Sequence, residues 1–335
     1  MSGAVDVHVH VIVPELLRDV APGETWRPRV SWDADGQLVE LGGRSIRSAV
    51  HEFVDIDEIL AALARRGCDR ALVSPWVSLL FGELEASEAL ERCRLQNDGL
   101  VRLHERRPTQ VTVLGSVPLQ DPELAANELR ELMGRRGVAG VEVTASVAGT
   151  YLGHPRFEPF WSAAEACQAL VFVHPTTRGF PGGIFDEHYL WNLVGNPFET
   201  TVAAAHLIVS GVMARHPWLR VLLAHGGGAL PSLAGRIQHG RRAVGAAGPP
   251  PGEPAEATMR RFLFDTVTHD PRQLRGLVDA VGADRVLLGS DHPFDMGDPD
   301  PVGTVRAAGL SAQDTAALLA TNAERELAGA ARTHA

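Results

Sequence analysis

Eight short apolar runs, spaced by longer amphipathic stretches, constrain this chain more than any other feature. The runs are Val5–His10, Arg70–Ser74, Val111–Val117, Val138–Thr144, Leu170–His174, Arg220–His225, Phe262–Thr266 and Arg285–Asp291. They are rich in Val, Leu and Ile and mostly do not alternate polar with apolar, as expected of strands buried on both faces. Helices are predicted over Asp57–Arg66, Leu84–Arg106, Pro122–Arg136, Phe157–Gln168, Phe198–Arg215, Leu230–Val244 and Pro271–Ala280. Two more, Pro301–Ala308 and Ala312–Leu327, close the chain. A strand followed by a helix, eight times over, predicts an α/β fold of the (β/α)8 TIM-barrel class rather than an open doubly wound sheet. No GxGxxG follows the first run, which weighs further against a dinucleotide-binding fold.

The 335 residues are read as one barrel domain over 1–335, with an inserted lobe at about 11–55. That lobe holds Pro14, Pro22, Pro28 and the Gly42-Gly43 pair, and it separates the first run from its helix. A second irregular piece, Gly245–Pro254, reads as an exposed loop. No repeat of solenoid period is visible. Hydrophobic residues at 45% and charged residues at 21% are those of an ordinary globular chain. The formal charge of −10 argues against nucleic acid or an anionic membrane as the main partner, though it permits a local basic pocket for an anionic small molecule. No leader-like N-terminus and no run of about 18 apolar residues is present, so a cytoplasmic enzyme is expected. Cys68, Cys93 and Cys167 form no CxxC pair and are odd in number. They are expected as reduced, buried small hydrophobes in helix-like segments.

Catalytic residues of such barrels stand at the C-terminal ends of the strands. The first run ends in His8-Val-His10, whose two imidazoles share one face of a strand. The fifth ends in His174, the sixth in His225 and the eighth in Asp291. A lone histidine at a strand end is usually a hydrogen-bonded structural residue. Such residues at strands 1, 5, 6 and 8 together are not explained as independent accidents. Three histidines and a carboxylate suit Zn2+, with Mn2+ or Fe2+ also tolerated, and a position left for water makes the site catalytic.

These residues carry a resemblance across nearly the whole chain. Asp6-Val-His8-Val-His10, Ser116-Val-Pro-Leu-Gln120-Asp121, Phe172-Val-His174-Pro175, His225-Gly-Gly-Gly228 and Gly289-Ser-Asp291-His-Pro-Phe294 resemble the amidohydrolase superfamily. Within it they resemble the aminocarboxymuconate semialdehyde decarboxylase-like group. The resemblance implies that His8, His10, His174 and Asp291 are metal ligands and that His225 handles protons beside them. It implies a mononuclear site, because the fourth run, Gly140-Val-Glu142-Val-Thr144, lacks the lysine that binuclear members carbamylate. Glu142 is then a buried or helix-facing carboxylate. Arg47 matches an arginine that binds substrate carboxylate, and Arg236 matches one that reaches the neighbouring subunit's site, which implies a homodimer. A planar guanidinium suits bidentate carboxylate binding. Arg178, Phe180 and Trp191, after the fifth run, and Trp76, after the second, are further pocket candidates. Thr176 stands where the resembled decarboxylase has a tryptophan soon after its His-Pro, so the substrate pocket differs. Asp265 ends the seventh run and suits structural hydrogen bonding as well as catalysis. His292 is expected to support the metal site from behind.

The expected activity is metal-dependent, non-oxidative decarboxylation of a small unsaturated or aromatic carboxylic acid. His225 and Asp291 would act as catalytic residues, and Arg47, Arg236, Arg178 and Trp191 would bind substrate. Hydrolysis or hydration of a lactone, cyclic amide or enol acid is the alternative, since the same centre activates water. A non-catalytic metal scaffold is the third reading, and the intact His225-Gly-Gly-Gly motif argues against it.

Overall fold

The computed structural model describes residues 3–18, 21, 24–34, 36–47, 50–176, 180, 183–243 and 253–329. Eight parallel strands form one sheet in chain order: β1 (Ala4–Val11), β2 (Cys68–Pro75), β3 (Val111–Gly115), β4 (Val138–Thr144), β5 (Leu170–His174), β6 (Arg220–Leu223), β7 (Leu263–Asp265) and β8 (Val286–Leu287). The first and last strands close on each other. Val7 donates to the Leu288 carbonyl, Asp291 to that of His8 and His10 to that of His292, each at 2.8 Å, and Val9 bridges His292 in parallel sense. This is the barrel that the eight runs predicted.

Each strand is followed by a helix: α1 (Ile56–Arg65), α2 (Ala86–Arg106), α3 (Pro122–Met133), α4 (Glu158–Ala166), α5 (Asn196–Val209), α6 (Leu230–Ala243), α7 (Pro271–Val281) and α8 (Pro301–Ala307). Their starts are written in the sequence. Asp55, Asp121 and Asp270 cap α1, α3 and α7 by accepting from backbone N–H groups of the first turn. Pro122 and Pro271 sit where a helix needs no N–H donor. The helix expected over Phe198–Arg215 begins two residues earlier and breaks after Val209, because Gly211 takes φ 79°. The strands expected to reach His225 and Asp291 stop short, at Leu223 and Leu287. Both residues leave strand geometry at positive φ, 55° and 61°, which turns their side chains over the barrel mouth.

Side chains fill the barrel in two shells. Val5, Val7, Leu72, Leu114, Leu170, Phe172, Leu222, Leu263 and Leu287 pack inside the sheet, and Ala320 and Ala323 near the C-terminus plug the floor. Each large apolar side chain fully buried there contributes roughly 1.5–3 kcal/mol. The second shell lies between sheet and helices. Within the predicted lobe, Arg29–Asp33, Gly36–Leu41 and Arg44–Arg47 form a three-stranded antiparallel sheet, and Val39 from it packs into that outer core. The cysteines depart from expectation in placement. Cys68 opens β2 and Cys167 caps α4 at intermediate exposure, while Cys93 lies buried in α2, and all three are free thiols. No helix among the described residues is long and apolar enough to cross a membrane.

Candidate metal centre and active site

A bulge between Asp6 and Val9 switches the phase of β1, so that Val5 and Val7 face the barrel interior below it and His8 and His10, two apart, share the inner face above it; both histidines are fully buried. His174 comes in from the end of β5, and Asp291 from the turn after β8. Ligand atoms of His8, His174, His225 and Asp291 lie within 4.8 Å of one another. His10 belongs to the same constellation, with Nε2 3.0 Å from His8 Nε2 and 3.3 Å from Asp291 Oδ1.

Three of the imidazoles are aimed by what their other nitrogen meets. His10 Nδ1 lies 2.8 Å from the Pro75 carbonyl, and His174 Nδ1 lies 2.9 Å from the Pro175 carbonyl. A carbonyl only accepts, so the proton in each ring sits on Nδ1 and the Nε2 lone pair points inward. His8 Nδ1 meets Asp265 Oδ2 at 2.6 Å, with the same consequence. The Nε2 atoms of His8 and His10 then face each other at 3.0 Å, a pairing that only a positive charge between them, a proton or a cation, relieves. His174 Nε2 and Asp291 Oδ1 are buried without a hydrogen-bond partner. Inward lone pairs, orphaned buried acceptors and a carboxylate are what a divalent cation completes, so the residues present fit a metal ion.

The electrostatics agree. Burial opposes a charged imidazole at His8, yet Asp291 and then Asp265 outweigh it and push the group up to about 10. Burial, with the neighbouring imidazoles of His10 and His8, holds His174 well below the ordinary histidine range. Burial alone would raise Asp291, but the surrounding histidines, led by His8, hold it well below the usual carboxylate range. The pocket thus favours positive charge at its centre while keeping His174 neutral.

His225 stands on the rim of this cluster. Its Nε2 lies 3.5 Å from Asp291 Oδ2, and its Nδ1 is buried with no partner. The glycines behind it are required by space: a Cβ on Gly228 would stand 2.0 Å from the Pro197 carbonyl, at a residue already at φ 61°. A cavity of about 560 Å3 opens from His225 and Asp291 outward between α6 and α7. Asn192, Asn196, Ser232, Thr268, His269 and Gln273 supply its polar wall, and Leu193, Val267, Leu277 and Met296 part of its apolar wall. These polar residues escaped the sequence reading. Thr268 and His269 follow the seventh run after Val267, and that position past a strand end was the available signal.

This geometry and the family comparison meet in one place. An amidohydrolase family model matches residues 5–327. The chain belongs to the amidohydrolase family. Among the similar proteins, 2-amino-3-carboxymuconate-6-semialdehyde decarboxylase of Dictyostelium discoideum is 32% identical over 303 residues, covering 89% of this chain and 83% of that one. Gamma-resorcylate decarboxylase of Rhizobium radiobacter is 30% identical over 320 residues, covering 88% and 89%. The crystal structure of 2,6-dihydroxybenzoate decarboxylase from Rhizobium superposes with a TM-score of 0.79 at 25% identity, covering 98% and 99%. Relatives of this amidohydrolase are thus decarboxylases, which favours the first of the two enzymatic readings over the hydrolase.

The other expected residues divide. Glu142 is buried, but it lies 3.9 Å from His10 Nδ1 rather than facing a helix, and burial raises it to about 7. Its strand neighbours Val141 and Val143 take the helix side, which leaves Glu142 the inner face. His292 accepts from Arg66 at Nδ1 (3.1 Å). Burial, then Arg66 and Arg65, lower it to about 4, so it stays neutral behind Asp291. Trp76 is buried and packs on Phe53, and Phe180 stacks on Phe198. Trp191 is 44% exposed beside the cavity-lining Asn192 and Leu193. Arg236 is exposed on α6, outside the residues that line the cavity of its own chain. The side chain of Arg47, and Arg178 altogether, fall outside the described residues.

Proposed function

We propose that this amidohydrolase is a metal-dependent, non-oxidative decarboxylase of a small aromatic or unsaturated carboxylic acid. One observation carries the reading: a cation-ready cluster reaches the cavity at Asp291, beside a His225 whose Nδ1 has no partner, in a chain whose relatives are decarboxylases. His8, His10, His174 and Asp291 would hold the ion, with Zn2+ the first choice for three imidazoles and a carboxylate and Mn2+ or Fe2+ next. When bound, the ion supplies Lewis acidity toward the substrate's anionic oxygens.

The chain's own residues do the rest. His225 gives a proton to the carbon that bears the carboxylate, which makes that carbon tetrahedral and weakens its bond to the carboxylate carbon. That bond then breaks, its electron pair returns to the ring or diene, and CO2 leaves. Asp291 Oδ2, near His225 Nε2, orients the imidazole through the exchange. Asn192, Thr268 and Gln273 line the cavity and would hydrogen-bond ring substituents.

The remaining assignments belong to the same proposal. A single domain over 1–335, with its lobe at about 11–55, carries the site. Arg47, Arg178 and Trp191 serve the substrate, and Arg236, facing out, serves the site of a second copy in a homodimer. Ile184, Trp191, Leu193, Val194 and Phe198 are large, exposed and within 15 residues of one another, which supports an interface there. Three unpaired cysteines support a cytoplasmic enzyme.

The test is a CO2-release assay of metal-loaded enzyme on hydroxylated benzoic acids, 2,6-dihydroxybenzoate first, and on amino-carboxymuconate-type acids, with lactones in parallel. Release of CO2 with formation of the decarboxylated product is expected. Lactone opening without CO2 from any acid would overturn the reading.

A further inference from the structure

Asp265 ends β7 and is fully buried, and its carboxylate is shared between two parts of the site. Oδ2 accepts from His8 Nδ1 at 2.6 Å and from the His225 backbone N–H at 2.9 Å. Oδ1 accepts from the N–H groups of Gly226 at 2.7 Å and Val267 at 3.1 Å. Oδ2 sets which nitrogen of His8 faces the candidate metal centre. Both oxygens, Oδ2 through His225 and Oδ1 through Gly226, grip the turn that carries His225.

That turn needs gripping. His225 and Gly226 both lie in the left-handed region, at φ 55° and 60°, and for histidine this conformation is strained unless its surroundings impose it. Two charge-assisted bonds from successive N–H groups to one carboxylate impose it. Asp265 itself has little room to shift. A Cβ at Gly289 would stand 2.9 Å from the Cβ atoms of both Asp265 and His8, so the three are packed side by side.

We propose that Asp265 is a positioning residue that locks the metal ligand His8 and the proton-handling His225 to one another, so that one carboxylate governs both metal retention and proton delivery. The proposal rests on the decarboxylase reading. A core carboxylate serving the fold alone would have no reason to divide its acceptors between a ligand ring and the backbone of the acid–base residue. Loss of Asp265 frees the His8 ring to present the wrong nitrogen and lets His225 relax out of the left-handed region.

The experiment uses the full chain with Zn2+ as the probe. Asp265→Asn keeps the volume and removes the charge. It is expected to weaken Zn2+ binding about 10–100-fold, and to lower kcat at saturating Zn2+ at least about tenfold while KM changes less. In a His225→Ala background it should weaken Zn2+ equally and lower kcat no further, with the thermal midpoint followed for every variant. Full kcat at saturating Zn2+, unchanged Zn2+ affinity, or an undiminished fall of kcat in the His225→Ala background would each overturn the proposal. Should Asp265→Asn not fold, nitrogen-15 histidine spectra of the Zn2+-loaded wild type decide it. A strongly deshielded, slowly exchanging Nδ1–H assigned to His8 is expected, and its absence sinks the proposal. Wild-type protein that binds no Zn2+ at all, or binds it and releases no CO2, is a separate result that strikes the decarboxylase reading instead.

Discussion

At His8, His10 and His174 the backbone and one carboxylate decide the tautomer before any ion arrives. That division of labour separates two variants. His174→Ala removes an inward Nε2 from a buried cluster and is expected to lose bound metal and turnover together, read by metal analysis of the purified protein and by CO2 release. His225→Ala leaves the four ligands in place and is expected to keep its metal while kcat falls roughly a hundred- to ten-thousand-fold. Equal loss of metal in both variants would make His225 a ligand. The proposed ligand positions were legible because two histidines two apart on a strand and a polar residue ending an apolar run are local patterns. The partnership of Asp265 with His8 was not. The two stand 257 residues apart, and three of the four donors that Asp265 accepts from are backbone N–H groups, which no residue type reveals. The outward face of Arg236 was not legible for a different reason: its spacing from His225 is local, but which way an α6 side chain points is settled by packing.

The elements followed the apolar pattern closely in the strands and less so where the chain bends. Val141, Val171 and Val221 lie where a doubly buried strand puts them, whereas the runs ending in His225 and Asp291 continue past the sheet because their last residues turn at positive φ. Hydrophobicity does not encode that turn. Helix α7 offers a test of what the cavity tolerates. Gly276 sits in its interior, lines the cavity, and has nothing within 4 Å of where a Cβ would stand. Gly276→Ala is therefore expected to raise stability by about 0.5–1 kcal/mol, seen in urea unfolding, with kcat unchanged. Gly276→Trp should instead fill cavity space, raising KM while metal content stays at wild type. On α5 and the turn facing it the expectation reverses. Gly228→Ala drives a Cβ against the Pro197 carbonyl and should cost about 1–3 kcal/mol in the same unfolding assay.

For the whole molecule, the candidate metal centre is also the seam of the barrel. Its residues come from β1, from the end of β5 and from the turn after β8, and the backbone bonds that close the first strand on the last run through the same residues: Asp291 N–H to the His8 carbonyl and His10 N–H to the His292 carbonyl. An ion held there ties strands far apart in the chain, and it binds the folded state while the unfolded chain offers no assembled site. Linkage then sets the size of the effect. Free metal at a thousand times its dissociation constant adds about 4.1 kcal/mol to the unfolding free energy, and at a hundred times about 2.7 kcal/mol. Chelation followed by dialysis should accordingly lower the thermal midpoint, and graded return of Zn2+ should raise it along a logarithmic curve. His225→Ala should follow that curve, since its ligands are intact, and His174→Ala should lie flat. A wild-type midpoint that ignores chelator and added metal alike would mean that the seam closes on hydrogen bonds alone and that the cluster holds no ion.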